Sequence, residues 1–125
     1  MTKNYFSLTA IFVLCAMVFV SCSKDDDFEI DKPISLITMT TVASEVTLWI
    51  VGSGEMTIDW GDGTVVTYSL SSGWSRPEHR YFGTSAHIIR ISGGNITELS
   101  AVGNQLTALD VNNSIALEYL DVHRN

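Results

Sequence analysis

Apolar and polar residues alternate with period two through the middle of the chain. Val46, Leu48 and Ile50 alternate with Thr47, Trp49 and Val51; Met56, Ile58 and Trp60 with Glu55, Thr57 and Asp59; His87, Ile89 and Ile91 with Ile88 and Arg90. Residues that alternate in this way project to opposite faces of a strand, which marks one face of each run for a core. Turn-forming clusters separate the runs: Gly52-Ser53-Gly54, Gly61-Asp62-Gly63, Ser71-Ser72-Gly73, Gly83-Thr84-Ser85 and Gly93-Gly94-Asn95. No convincing amphipathic helix is present. The pattern predicts six short strands, at 34–41, 45–51, 55–60, 64–69, 78–82 and 86–92. Short strands with regular turns suggest a small β-sandwich.

From Ile96 the period changes. Three segments align: Ile96-x-x-Leu99-x-Ala101-x-x-Asn104-x-Leu106, Leu106-x-x-Leu109-x-Val111-x-x-Ser114-x-Ala116, and Leu117-x-x-Leu120-x-Val122-x-x-Asn125. The first and third superpose with a shift of 21 residues, which carries Leu99 onto Leu120 and Asn104 onto Asn125. The i, i+3, i+5 spacing fits neither clean alternation nor one face of a helix. It resembles the leucine-rich repeat, L-x-x-L-x-L-x-x-N-x-L. That resemblance implies that the apolar positions point into a solenoid, and that Asn104 and Asn125 bond backbone groups left unpaired by a tight turn. The middle segment, with Ser114 in place of Asn, is expected at the back of the coil. The alternative is one more hairpin of the sandwich. Solenoid units bury their apolar faces only against neighbours and end on a polar cap. Nothing in 96–125 reads as a cap, so the expectation is a truncated member of a longer repeat family.

Trp60-Gly61-Asp62-Gly63-Thr64 is the sharpest local signal, since Asp-Gly between alternating runs is a tight-hairpin signature. Downstream come His79-Arg80-Tyr81, then Gly83, then the run from Ala86 to Ile91. Together these resemble the polycystic-kidney-disease-type (PKD) domain, an immunoglobulin-like sandwich. The resemblance covers roughly 34–93 and implies structural roles for Trp60, Gly61, Asp62, Gly63, His79 and Tyr81. The chain is shorter than that family's norm, and His87 stands where its last strand usually offers an aromatic residue. Asp59 and Asp62 invite a calcium reading. A bond from Asp62 to backbone amides within the turn is the stronger reading, and His79, His87 and His123 are too scattered to form a metal site. No metal and no cofactor is expected.

The N-terminus reads as an address. Lys3 precedes an apolar run, Leu8–Val20, that is too short to span a bilayer as a permanent helix and fits a secretory signal. Phe19-Val20-Ser21-Cys22 resembles the lipobox of bacterial lipoproteins, with Phe19 in place of the usual Leu. The resemblance implies cleavage before Cys22 and lipidation of its thiol, so the membrane is a partner through the N-terminal lipid. Cys15 then leaves with the signal, and no disulfide is available. Ser23-Lys24-Asp25-Asp26 resembles a signal that sends some Gram-negative lipoproteins to the outer face of the outer membrane; a charged spacer is the plainer alternative. The expected organisation is a signal peptide at 1–21, an acidic tether at 22–33, a PKD-like sandwich at 34–93 and partial leucine-rich repeats at 94–125. The fold class is mainly β.

Charge and motif content narrow the function. Seven Lys and Arg stand against fourteen Asp and Glu, for a formal net charge of −7. Nucleic acid is an unsuitable partner, because binding it depends on neutralising phosphates. No G-x-S-x-G, H-E-x-x-H, C-x-x-C or phosphate-binding glycine loop occurs, so the chain does not read as an enzyme, and a carbohydrate-processing activity is the weakest alternative. The joint pattern resembles Gram-negative surface lipoproteins of the cell envelope, which implies a binding surface for protein or polysaccharide. Candidate contacts are the repeat-strand positions Glu98, Ser100, Ala108, Asp110, Tyr119 and Asp121, with Trp74 as the bulky aromatic of a loop. A structural spacer or non-functional remnant is the alternative.

Overall fold

Eight strands and no helix carry residues 35–125, the residues described in this computed structural model. The signal stretch, Cys22 and the tether at 22–33 lie outside the described residues. The strands are β1 (Leu36–Thr41), β2 (Glu45–Thr47), β3 (Trp49–Asp59), β4 (Val65–Leu70), β5 (Glu78–Arg80), β6 (His87–Ser100), β7 (Leu106–Asp110) and β8 (Tyr119–Asp121). One sheet of six strands runs in the order β4-β3-β6-β1-β7, with β8 also paired to β6, and β2 pairs with β5 in a second sheet. All pairings are antiparallel except β6 with β8. The fold class is therefore mainly β.

The apolar members of the alternating runs form the core. Val46, Leu48, Ile50, Met56, Ile58, Trp60, Ile89 and Ile91 are all fully buried, joined by Ile37, Met39, Ile96 and Leu99. Removing such side chains from water is the main term stabilising a small domain.

Two of the five expected turns are not turns. Gly52-Ser53-Gly54 lies inside β3 and Gly93-Gly94-Asn95 inside β6. The two clusters face each other across the ladder, where Ser53 pairs with Asn95 and Met56 with Gly93, and the register slips on either side. Such bulges bend paired strands without ending them. The approach is close enough to require glycine: a Cβ on Gly52 would stand 2.4 Å from the Asn95 carbonyl oxygen, and one on Gly93, where φ is 79°, would stand 2.7 Å from that of Glu55. The run expected at 45–51 is likewise split. The chain changes sheets at Leu48, whose amide donates to the Pro77 carbonyl at 2.9 Å.

As a result β6 is the spine of the molecule. One of its edges is occupied along both halves by β3; the other is taken first by β1 and then by β8. The boundary expected at 93/94 falls within this strand.

Beyond β6 the chain returns on itself in layers. Glu98, Leu99 and Ser100 pair in parallel with Tyr119, Leu120 and Asp121, the same 21-residue shift seen in the sequence. Asn104 is buried and acts as a two-way clamp: its Oδ1 accepts the Thr47 amide at 3.0 Å and its Nδ2 donates to the Thr47 carbonyl at 2.8 Å. Asn125 repeats the device one layer on. Its Oδ1 accepts the Asn104 amide at 2.8 Å, and its Nδ2 donates to the carbonyls of Ala101 at 2.8 Å and Val122 at 2.7 Å. The residues just before the two asparagines, Gly103 (φ 70°) and Arg124 (φ 59°), share the left-handed conformation. The middle segment contributes β7, antiparallel to β1, and its buried Ser114 hydroxyl meets the Ser35 hydroxyl at 2.9 Å. Ile96, Leu99 and Ala101 are fully buried, whereas Leu120 and Val122 remain partly exposed.

Candidate functional site

Trp49 opens β3 with its side chain outward, because Leu48 and Ile50 on either side of it are committed to the core. Across the ladder Trp49 pairs with Ser100 and Val51 with Glu98; on the far side of β6, Glu98 pairs with Tyr119 and Ser100 with Asp121. The outward positions of three strands thus form a small platform. A loop walls one side. Ile50 and Ser75 exchange backbone hydrogen bonds at 2.9 and 2.8 Å, which pins Trp74 beside β3.

Trp49, Trp74, Glu98, Ser100 and Tyr119 line a single open groove of about 350 Å³. The three aromatic residues keep 42%, 50% and 48% of their surface exposed for Trp49, Trp74 and Tyr119. Clustered exposed aromatics mark interaction sites. The Arg76 guanidinium carbon lies 5.1 Å from the centre of the Trp49 ring, and Arg76 pairs with Glu78 at 2.7 Å. At the border, the Tyr119 hydroxyl donates to Asp121 Oδ2 at 3.4 Å, and a hydrogen bond from His123 holds the Asp121 carboxyl below the usual carboxylate range.

The groove gathers four of the seven candidate contacts, Trp74, Glu98, Ser100 and Tyr119. Asp121 borders it through Tyr119. Asp110 stays apart on β7, where its carboxylate accepts the Asn112 amide at 2.9 Å, and Ala108 shares that strand. Trp49 was hidden in the sequence as the polar-side member of an alternating run; a tryptophan at a solvent-facing strand position was the available signal.

The Trp60-Gly61-Asp62-Gly63 turn forms a second polar cluster, with a structural character. Asp59 Oδ1 accepts the Gly61 amide at 2.9 Å, and Asp62 Oδ1 accepts the Thr64 amide at 3.0 Å. Gly61 and Gly63 have φ of 81° and 92°, which glycine adopts without strain. Asp62 Oδ2 receives the His79 Nε2 at 2.7 Å. The His79 ring stacks on Trp60 at 4.9 Å and meets Tyr81 edge-on at 4.7 Å, and Tyr81 stacks on His87 at 3.9 Å. The Tyr81 hydroxyl donates to the Trp60 carbonyl at 2.7 Å, and burial pushes its phenol pKa up. Among the described residues, no three His, Cys, Asp or Glu side chains come together as metal ligands.

The hydrogen bond from His79 lowers the Asp62 pKa from 3.8 to about 2. A carboxyl depressed on folding contributes stability that is present above its unfolded pKa and lost as pH falls through the folded one. Acid titration should therefore show a loss of stability between about pH 4 and pH 2 that Asp62→Asn reduces. Urea midpoints measured across that range check it, and identical slopes in both proteins would contradict it.

The chain matches no protein family model, no curated protein and no solved structure.

Proposed function

We propose that this is a lipid-anchored cell-envelope protein that presents a non-catalytic binding surface to a protein or polysaccharide. The observation that carries the binding reading is the convergence of Trp49, Trp74, Tyr119, Glu98 and Ser100 on one groove. Those residues come from β3, β6, β8 and the loop before β5, and no local feature of the chain requires them to meet. The anchor rests on the Phe19-Val20-Ser21-Cys22 sequence, and an outer-membrane location on Ser23-Lys24-Asp25-Asp26.

Two architectural assignments accompany the proposal. A PKD-like sandwich for 34–93 is supported by the Asp62–His79 bond and the row of rings from Trp60 to His87. A leucine-rich-repeat start for 94–125 is supported by the parallel β6–β8 pairing and the two asparagine clamps. In that frame the groove straddles the two, with Trp49 and Trp74 from the first and Glu98, Ser100 and Tyr119 from the second.

A glycan array and a pull-down from envelope extract, run with the full chain, test the binding role. Trp74→Ala and Tyr119→Ala should each weaken a captured ligand by at least about tenfold, as central aromatic contacts do. Phe82→Ala, at an almost fully exposed ring outside the groove, should leave binding unchanged. Silence of the intact protein in both assays would favour the spacer reading.

A further inference from the structure

We propose that the groove takes the guanidinium group of an arginine side chain on a protein partner. The assignment rests on the binding role proposed above and goes further in naming the chemistry. Three aromatic rings around one cavity attract a cation through their negative faces. Trp49 already holds one in this way, with the Arg76 carbon 5.1 Å from its ring centre. Glu98 is the charged residue of the lining, and no Lys or Arg belongs to it. Asp121 adds a second carboxylate at the border through Tyr119. Arg76, over the Trp49 ring, is paired with Glu78 at 2.7 Å, which offsets its charge beside the groove. The formal net charge of −7 favours approach of a basic partner.

The polar lining chooses among cations. Glu98 and Ser100 offer acceptor oxygens, which a quaternary ammonium cannot answer because it has no N–H. A lysine ammonium donates, but it is compact and strongly hydrated. A guanidinium is planar, stacks on aromatic faces and matches a carboxylate with two parallel N–H groups. A groove of about 350 Å³ also leaves space for the aliphatic stem along the rings. A neutral sugar would stack on the same rings but would draw nothing from the negative charge.

The three tryptophans make the test internal. Trp49 and Trp74 border the groove, whereas Trp60 is fully buried elsewhere. The indole N–H resonances of the full chain are followed by NMR while N-acetyl-arginine amide is added, and again with N-acetyl-citrulline amide, its neutral isostere. The expected result is saturable movement of the Trp49 and Trp74 signals with Trp60 still, and citrulline weaker by about fivefold or more. Glu98→Gln should lower arginine affinity about tenfold, with the Trp60 signal and the melting temperature unchanged. Absence of a saturable response to arginine, or equal responses to arginine and citrulline, overturns the assignment. Movement of both indoles by cellohexaose and not by arginine would also overturn it, while leaving the binding role standing with a glycan ligand. If no probe moves either indole and the array and pull-down are also blank, both fall.

Discussion

Gly93→Ala is expected to destabilise the protein by about 2–4 kcal/mol, the sum of a left-handed alanine and an overpacked strand joint. The residue has φ of 79°, and its new Cβ would press to 2.7 Å from the Glu55 carbonyl oxygen, a backbone atom fixed in the β3–β6 ladder. Neither strand yields easily, since β6 is held by β3 on one edge and by β1 on the other. Gly52→Ala should behave similarly for a different reason: its φ is not positive, but its Cβ would meet the Asn95 oxygen at 2.4 Å. Two controls separate strain from crowding. Gly63→Ala, at φ 92° in open space, should cost only the strain of about 1–2 kcal/mol. Gly73→Ala, with an ordinary backbone and nothing near, should be close to neutral. Urea midpoints at constant m-value give the series. Equal costs at positions 93 and 63 would show that the two strands do not press on each other there.

Replacing Asn104 by alanine should be the most damaging change in the C-terminal layers. The side chain satisfies both the amide and the carbonyl of Thr47, at 3.0 and 2.8 Å, from a buried position. Each part-buried backbone group left without a partner costs about 1–3 kcal/mol, so a total loss of about 2–6 kcal/mol is expected. Asn104→Asp is the sharper variant. It keeps the acceptor for the Thr47 amide and sets a carboxylate against the Thr47 carbonyl, so it should approach the alanine variant at neutral pH and recover partly in acid, where the protonated acid donates. Thermal melts report the totals, and hydrogen exchange at the Thr47 amide reports the site. Asn125→Ala should cost less, because its clamp is more exposed, although it serves more groups: the Asn104 amide and the Ala101 and Val122 carbonyls. Unchanged exchange at Thr47 in Asn104→Ala would remove the clamp from the account of how the layers attach.

Local chemistry was legible wherever one residue type had one physical use. The alternation at 46–50 and 56–60 marked the buried face of β2 and β3 because a strand side chain has only two directions. Asp62 could be placed as a turn acceptor because its carboxylate reaches the amide two residues on. Glycine was the ambiguous letter. It serves a turn and a close approach equally well, so Gly93 and Gly94 read the same whether the chain reverses or, as here, passes tightly over a facing glycine. Only the partner strand distinguishes the two. The same limit concealed Trp49, whose role depends on what lies across from it at Ser100 and beside it at Trp74.

By itself, the sequence determined the mainly β class, the buried members of each alternating run, the hairpin at Gly61-Asp62-Gly63 and the 21-residue shift that later sets β8 against β6. These follow from spacing, and spacing is a one-dimensional quantity. The tertiary structure alone decided that β3 and β6 run on through their glycines, that Asn104 reaches back to Thr47, and that three aromatic rings and a carboxylate share one groove. Each of those depends on which distant segments become neighbours, and that is set by burying all the apolar faces at once.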